Sequence, residues 1–190
     1  MGISEKGAQR IMYSPGEFEK GKLKKKSFFQ TVHDLQVRQL NGSELGLLAH
    51  QIAQDLNAQL TPQMLRSEMT THQGTTCLSM RRWARETQVV VMQNAFFGKK
   101  LAEMDDALPE NLLKYSRVSW QTWYHVPKFM RQHYKYGHHI QKTFLKYLDL
   151  PPSERKAAWS TEALMEQMNI AELSKEDAST FMHFFYWGYV

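Results

Sequence analysis

The chain has 190 residues, of which 42% are hydrophobic and 12% aromatic, and it carries a net charge of +5. This composition is sufficient for a folded core and argues against a disordered chain. The single cysteine, Cys77, excludes an intramolecular disulfide, and no run of roughly 18 apolar residues predicts a membrane span. Because the first ten residues lack the apolar core of a signal peptide, we expect a cytoplasmic protein with no membrane partner.

The charges are unevenly distributed along the chain. Lys and Arg outnumber Asp and Glu by eight to four in residues 1–38, by six to two in residues 66–100 and by nine to two in residues 114–156. Residues 101–113 hold four acidic and no basic residues, and residues 157–190 hold five acidic and one basic. This segregation favours a basic face that binds polyanions and an acidic face on the opposite side of the protein. The alternative is a basic protein without a nucleic-acid partner.

Residues 1–26 are predicted to form a flexible basic arm. The stretch has few apolar residues, a turn signal at Ser14-Pro15-Gly16 and a run of lysines that ends in Lys24, Lys25 and Lys26. Such an arm could contact phosphates and add sequence-independent affinity for DNA, or it could be a solvated terminus.

Four short helices, A to D, are predicted in a domain at 27–104. Apolar residues at spacings of three and four, with polar caps, define helix A at 27–41 and helix B at 43–57. Helix C follows Thr61-Pro62 and stops at residues 72–74, and Thr75 or Thr76 can cap helix D. The β-branched run at 89–92 also suits a strand, but we interpret it as helix.

Helices B, C and D have the order and the tight spacing of a helix-turn-helix domain, in which the last helix lies in the major groove of DNA. Arginines on helix D supply forked donors for guanine or phosphate oxygens. The residues predicted to bind DNA are Thr75, Thr76, Ser79, Arg81, Arg82, Arg85, Arg66, Lys24, Lys25 and Lys26. In an alternative register helices B and C form the pair, and in another alternative the helices form a plain bundle whose arginines only meet solvent.

An acidic linker is predicted at 105–113, ahead of an aromatic-rich helical domain at 114–190. This half holds 16 of the 23 aromatic residues, and helices are expected near 118–148, 160–171 and 174–188, with Pro127 bending or splitting the first of them. Ser174 and Asp177 match a capping box at the start of the last helix. The residues predicted to bind a protein partner or a second copy of the chain are Trp120, Trp123, Phe184, Phe185, Trp187 and Tyr189.

Aromatic and basic residues alternate between Trp120 and Tyr147. Exposed aromatics on a basic surface could stack the bases of single-stranded nucleic acid, but aromatics at helical spacing are more often core. We expect a mixture, with the tryptophans inside and the Lys and Arg residues outside. Four histidines also lie in this segment, yet adjacent His138 and His139 point about 100° apart on a helix, so we expect no metal site.

Motifs of enzymes are missing from the sequence. It contains no glycine-rich phosphate loop and no Gly-x-Ser-x-Gly elbow, and Cys77 with nearby His72 lacks a third, orienting group. We therefore expect neither an enzyme nor a cofactor.

The segment from Leu47 to Met69 reads as a helix, a turn at Gln59-Leu60-Thr61 and a second helix, and it is followed by Leu113, Ser116, Trp120 and Trp123. In this pattern the chain resembles, over about residues 45–188, the C subunit of the flagellar master transcription activator, a family whose relatives also regulate mobile elements. The resemblance implies transcription activation with a partner subunit. The zinc-binding cysteines that follow the last helix in that family are absent here.

The main prediction is an all-α regulator or accessory factor that binds duplex DNA through helix D and the basic arm, as a homo-oligomer or with a protein partner. The alternative is a protein-interaction or assembly module that docks a partner through its aromatic C-terminal half.

Overall fold

The computed structural model describes residues 2–13, 15–16, 26–61, 69–72, 74–122, 124, 126–127 and 130–189. Its helices are α1 (Glu5–Tyr13), α2 (Phe28–Asn41), α3 (Ser43–Gln59), α4 (Met80–Phe97), α5 (Lys99–Met104), α6 (Leu108–Val118), α7 (His133–Tyr147), α8 (Pro152–Arg155), α9 (Trp159–Ile170) and α10 (Lys175–Tyr189). A 3-10 turn, Ser119–Thr122, follows α6 directly.

Two short antiparallel ladders accompany the helices. In the first, β1 (Pro15–Gly16) pairs with β2 (Lys26–Ser27), and in the second, β3 (Met69–His72) pairs with β4 (Thr75–Leu78). Gly74 lies between β3 and β4 with φ of 76°, a left-handed conformation that glycine adopts without steric cost. The predicted all-α fold class is confirmed, because helices supply nearly all of the buried core in the described residues.

Apolar residues at helical spacing explain which face of each helix is buried. Val32 and Leu35 are buried in α2, and Ile140, Phe144 and Tyr147 are buried in α7. The exposed face of α7 carries Lys135, Lys142 and Lys146, whereas α2 also exposes the apolar side chains of Phe29, Val37 and Leu40. None of the described helices has an apolar stretch long enough to cross a lipid bilayer.

One hydrophobic core joins the N-terminal and C-terminal halves of the chain. Phe97, at the end of α4, has its ring centroid 5.5 Å from that of Phe144 and 5.3 Å from that of Tyr186. The Tyr147 hydroxyl donates to the Phe97 carbonyl over 2.6 Å, and the Tyr186 hydroxyl donates to Oε1 of Gln93 over 2.5 Å. Aromatic pairs of this kind add about 1 kcal/mol each beyond their buried area, so α4, α7 and α10 stabilise one another.

The predicted acidic linker at 105–113 is wrong over most of its length. Asp105, Asp106 and Ala107 form a turn, but α6 begins at Leu108, and the side chains of Leu108 and Leu112 are buried in the core. The two segments predicted as separate domains therefore meet in shared packing.

The predicted flexible arm is wrong for residues 5–13, which form α1. Ser4 caps this helix, since its Oγ accepts a hydrogen bond of 2.9 Å from the Gly7 N–H. The backbone N–H and the hydroxyl of Ser4 donate to the Asp177 carboxylate of α10 over 2.6 and 2.7 Å, and Ile11 is buried. Ser174 caps α10 as predicted, because the Asp177 N–H donates to Ser174 Oγ over 3.1 Å; the second bond joins the Ser174 hydroxyl, and not its backbone N–H, to the Asp177 carboxylate over 2.8 Å.

The hairpin of β3 and β4 contradicts the predicted helices C and D. The predicted end of helix C, residues 69–72, is β3, and the predicted first turn of helix D, residues 75–78, is β4. Four threonines in these strands favour extended backbone, and Gly74 closes the turn between them. The start of helix C, residues 62–68, lies outside the described residues.

The other predicted helices agree better with the structure. Helices A and B correspond to α2 and α3, and the run at 89–92 is helical within α4. The last two predicted helices correspond to α9 and α10. The long helix predicted near 118–148 is shorter, because α7 begins only at His133, after Pro127.

Candidate nucleic-acid interface

The residues predicted to contact DNA are divided between the β3–β4 hairpin and the start of α4. Thr75 and Thr76 lie in β4, where successive side chains point to opposite faces, and both are exposed. Ser79 immediately precedes α4, and Arg81 and Arg82 lie in its first turn. The predicted recognition-helix surface is therefore wrong in its geometry, because the threonines belong to a strand and only the arginines to a helix.

The remaining predicted DNA contacts are scattered. Arg85 lies one turn further along α4 and is partly buried, and its Nε is buried without a hydrogen-bond partner in the part of the chain that the structure describes. Lys26 belongs to β2, whereas Lys24, Lys25 and Arg66 lie outside the described residues. A role for these residues in DNA binding stays a prediction.

Three exposed lysines, Lys135, Lys142 and Lys146, form a stripe along α7. They are seven and four residues apart, so at 3.6 residues per turn their positions fall within about 40° of arc. We refer to these three residues as the lysine stripe. Exposed His138 lies beside it, and the opposite face of the helix carries buried Ile140.

None of the three stripe lysines forms an ion pair with a carboxylate of the described residues. Other lysines do: Lys100 with Glu103 at 3.1 Å, Lys114 with Glu110 at 2.7 Å and Lys175 with Asp149 at 2.5 Å. Asp105, which faces α7, instead accepts hydrogen bonds from His139 Nε2 at 2.7 Å and from the Thr143 hydroxyl at 2.5 Å. The stripe therefore presents uncompensated positive charge to solvent.

The sequence on both sides of the lysine stripe also has an excess of basic residues. No acidic residue occurs from residue 111 to residue 148, whereas seven Lys and Arg residues do. This run without a carboxylate is the signal in the sequence that points to the lysine stripe. A count of charges over residues 114–156 obscures it, because that longer segment includes two acidic residues.

Aromatic rings are exposed next to the start of α7. Trp120 is 50% exposed and Tyr124 is 66% exposed, and their ring centroids lie 5.9 Å apart in an edge-to-face arrangement. The 3-10 turn that carries Trp120 is tied to α7, since Oε1 of Gln121 lies 3.3 Å from Nδ1 of His133. The expectation that the tryptophans lie inside is wrong for Trp120, because its segment is not part of an amphipathic helix.

Arg131 is held beside the exposed Tyr134. Its Nε donates to the Val126 carbonyl over 2.8 Å, its Nη1 donates to the Tyr134 hydroxyl over 3.3 Å, and its Cζ lies 5.8 Å from the Tyr134 ring centroid. It has no carboxylate partner among the described residues. We refer to Trp120 and Tyr124, whose rings contact each other, as the aromatic cluster.

The histidines of this region have separate environments. Burial is the largest cause that lowers the pKa of His133 below its usual value, and the charge of Arg131 also lowers it. His139 contacts Asp105, and His138 is exposed. Within the described ranges no three His, Cys, Asp or Glu side chains are grouped so that they could hold a metal ion.

The C-terminal aromatics predicted to dock a partner contribute mostly to the core. Phe185 is only 8% exposed, with its ring centroid 6.2 Å from that of Phe97, and Trp187 is partly buried against Tyr115. Phe184 is exposed. The buried side chain of Phe185 contradicts its predicted contact with a partner. Trp123 lies outside the described residues, and Tyr189 is the last residue of α10.

Comparison with known proteins assigns neither a family nor a function to the chain. No protein-family model matches the chain, and no curated protein or solved structure matches it either. The resemblance to the C subunit of the flagellar activator therefore stays a prediction.

Proposed function

We propose that the protein binds nucleic acid as a regulatory or accessory factor, with the lysine stripe of α7 as its main phosphate-binding surface. The observation that carries the proposal is that Lys135, Lys142 and Lys146 share one exposed helix face and have no carboxylate partner in the described part of the chain. The net charge of +5 adds a general attraction for polyanions.

The length of the stripe suits several phosphates. Its eleven-residue span corresponds to about 16 Å at 1.5 Å per residue, and one DNA strand carries a phosphate every 3.4 Å or so of duplex axis. Each lysine can therefore neutralise a different phosphate. Counterion release then contributes a slope of log K against log salt of about −0.9 per contact on duplex DNA and about −0.7 on a single strand.

The test is a salt titration of binding to labelled random-sequence DNA. Replacing the stripe lysines by glutamine, K135Q with K142Q and K146Q, is expected to weaken binding at every sequence and to flatten the salt slope by about 2 to 3 units. All three side chains are exposed, so the melting temperature is expected to stay close to that of the wild type.

A matched control removes the same amount of charge elsewhere. The triple variant K100Q with K114Q and K175Q also lowers the net charge by three, but these lysines are already paired with carboxylates. This control variant is expected to keep most of the affinity for DNA and most of the slope of log K against log salt. Equal effects of the two triple variants, or no binding by the wild type at low salt, would contradict the proposal.

Duplex binding by the β3–β4 hairpin and α4 is the second candidate. The observation in its favour is that exposed Thr75 and Thr76 lead directly into the turn that carries Arg81 and Arg82. Hydroxyl and guanidinium groups are common ligands of phosphates and base edges. If this surface dominates, Arg81→Ala with Arg82→Ala weakens duplex binding more than the loss of the stripe lysines does.

A further inference from the structure

We infer that the aromatic cluster beside the lysine stripe stacks the bases of single-stranded nucleic acid, so that the protein prefers single strands to duplexes. The inference rests on the proposed function, because the stripe supplies the phosphate contacts for the same strand. It goes further by naming the form of nucleic acid that is bound.

The exposure of the rings is the first argument. Trp120 and Tyr124 leave half or more of their surface in water although they contact each other edge to face. Each base has a flat π face that stacks on such rings whatever the sequence. In a duplex those faces are already stacked on neighbouring bases, so the rings add affinity only for unpaired bases.

The orientation of Arg131 is the second argument. The Val126 carbonyl and the Tyr134 hydroxyl hold the guanidinium close to the Tyr134 ring. Two of its N–H groups are used in this way, and the remaining N–H groups have no carboxylate to pair with among the described residues. A phosphate between two stacked bases suits these donors, because guanidinium and phosphate pair with directional hydrogen bonds.

The closeness of the two groups along the chain is the third argument. The contact between Gln121 and His133 ties the turn that carries Trp120 to the first residue of α7. Tyr134 is the next residue, and the lysine stripe begins immediately after it at Lys135. Rings for the bases and cations for the phosphates therefore follow one another along a segment that contains no carboxylate, a charge pattern that is complementary to nucleic acid.

The experiment compares two probes with the full chain: a labelled oligothymidylate and a duplex, each about 15 nucleotides long. The variant W120A with Y124A is expected to weaken binding of the single strand at least about tenfold and to leave duplex binding within about twofold. Phe29→Ala removes an aromatic side chain that is 63% exposed on α2, and it is the matched control with no expected effect on either probe.

Two further measurements make the result specific to stacking. Trp120→Phe keeps a ring and is expected to restore most of the single-strand affinity that alanine loses. The oligothymidylate is also expected to quench tryptophan fluorescence in the wild type, and this quenching is expected to decrease in Trp120→Phe.

The two proposals fail in different ways. If the wild type binds neither probe, the proposed function fails, and this inference fails with it. If the wild type binds both probes and W120A with Y124A leaves the ratio of the two affinities unchanged, the inference alone is overturned. An equal loss on both probes overturns it as well, because stacking cannot strengthen duplex binding to the same extent.

Discussion

His183 is expected to make the stability of the fold depend on pH between about 6.5 and 4. Its ring is buried in α10, 4.5 Å from the ring centroid of Tyr115, and its Nε2 has no hydrogen-bond partner among the described residues. Burial lowers the pKa of His183 from 6.5 to about 4. The folded state therefore holds a neutral ring over a range in which the unfolded chain binds a proton.

The sign and size of the effect follow from that difference. Stability present above pH 6.5 is lost as the pH falls towards 4, because only the unfolded state gains the proton in this interval. Lowering the pKa of His183 from 6.5 to about 4 corresponds to about 3 kcal/mol. Some 2 kcal/mol of it is expected to be lost between about pH 7 and pH 4.5.

The assay is urea unfolding of the wild type and of His183→Leu at these two pH values. Leucine does not titrate, so the variant is expected to lose about 2 kcal/mol less free energy of unfolding than the wild type over the same interval. Phe185→Leu is the control, since it weakens the same region at both pH values without removing a titrating group. Equal losses in the wild type and His183→Leu would refute the argument.

The lower limit of pH 4.5 avoids a second titrating group. Burial tends to raise the pKa of Asp177, but hydrogen bonds from Ser4 and Ser174 outweigh it and lower the pKa below 3.8. The stabilisation from this carboxylate is present above that value and is lost only in stronger acid.

Two further substitutions test the backbone and the N-terminal contact. Gly98→Ala is expected to cost at least about 3 kcal/mol in urea unfolding, because φ is 75° there and a Cβ would overlap the Arg155 carbonyl. Gly74→Ala, with φ of 76° and no described atom within 4 Å of the added Cβ, is expected to cost only about 1 kcal/mol, and similar losses would disprove the clash. Ser4→Ala is expected to cost about 1 to 2 kcal/mol and to make residues 5–13 more sensitive to protease, whereas unchanged proteolysis would show that its contact with Asp177 does not hold α1 in place.

The sequence by itself determined the helices whose signals are local. Apolar spacing and caps predicted α2, α3, α9 and α10, and Ser174 caps α10 as expected. Such signals act over one or two turns, so they are visible in a short stretch of sequence. The lysine stripe is also encoded locally, because the spacing of Lys135, Lys142 and Lys146 alone sets them on one helix face.

Only the tertiary structure decided which residues lie inside and where the predicted recognition helix fails. Residues 69–78 pair across a turn as two strands, and pairing between strands outweighs the helical pattern predicted for them. Phe185 is buried against Phe97, which lies far from it in the sequence, whereas Trp120 is exposed. Burial depends on such long-range contacts, and for this reason the sequence pattern could not decide which of the aromatic residues lie in the core and which lie on the surface.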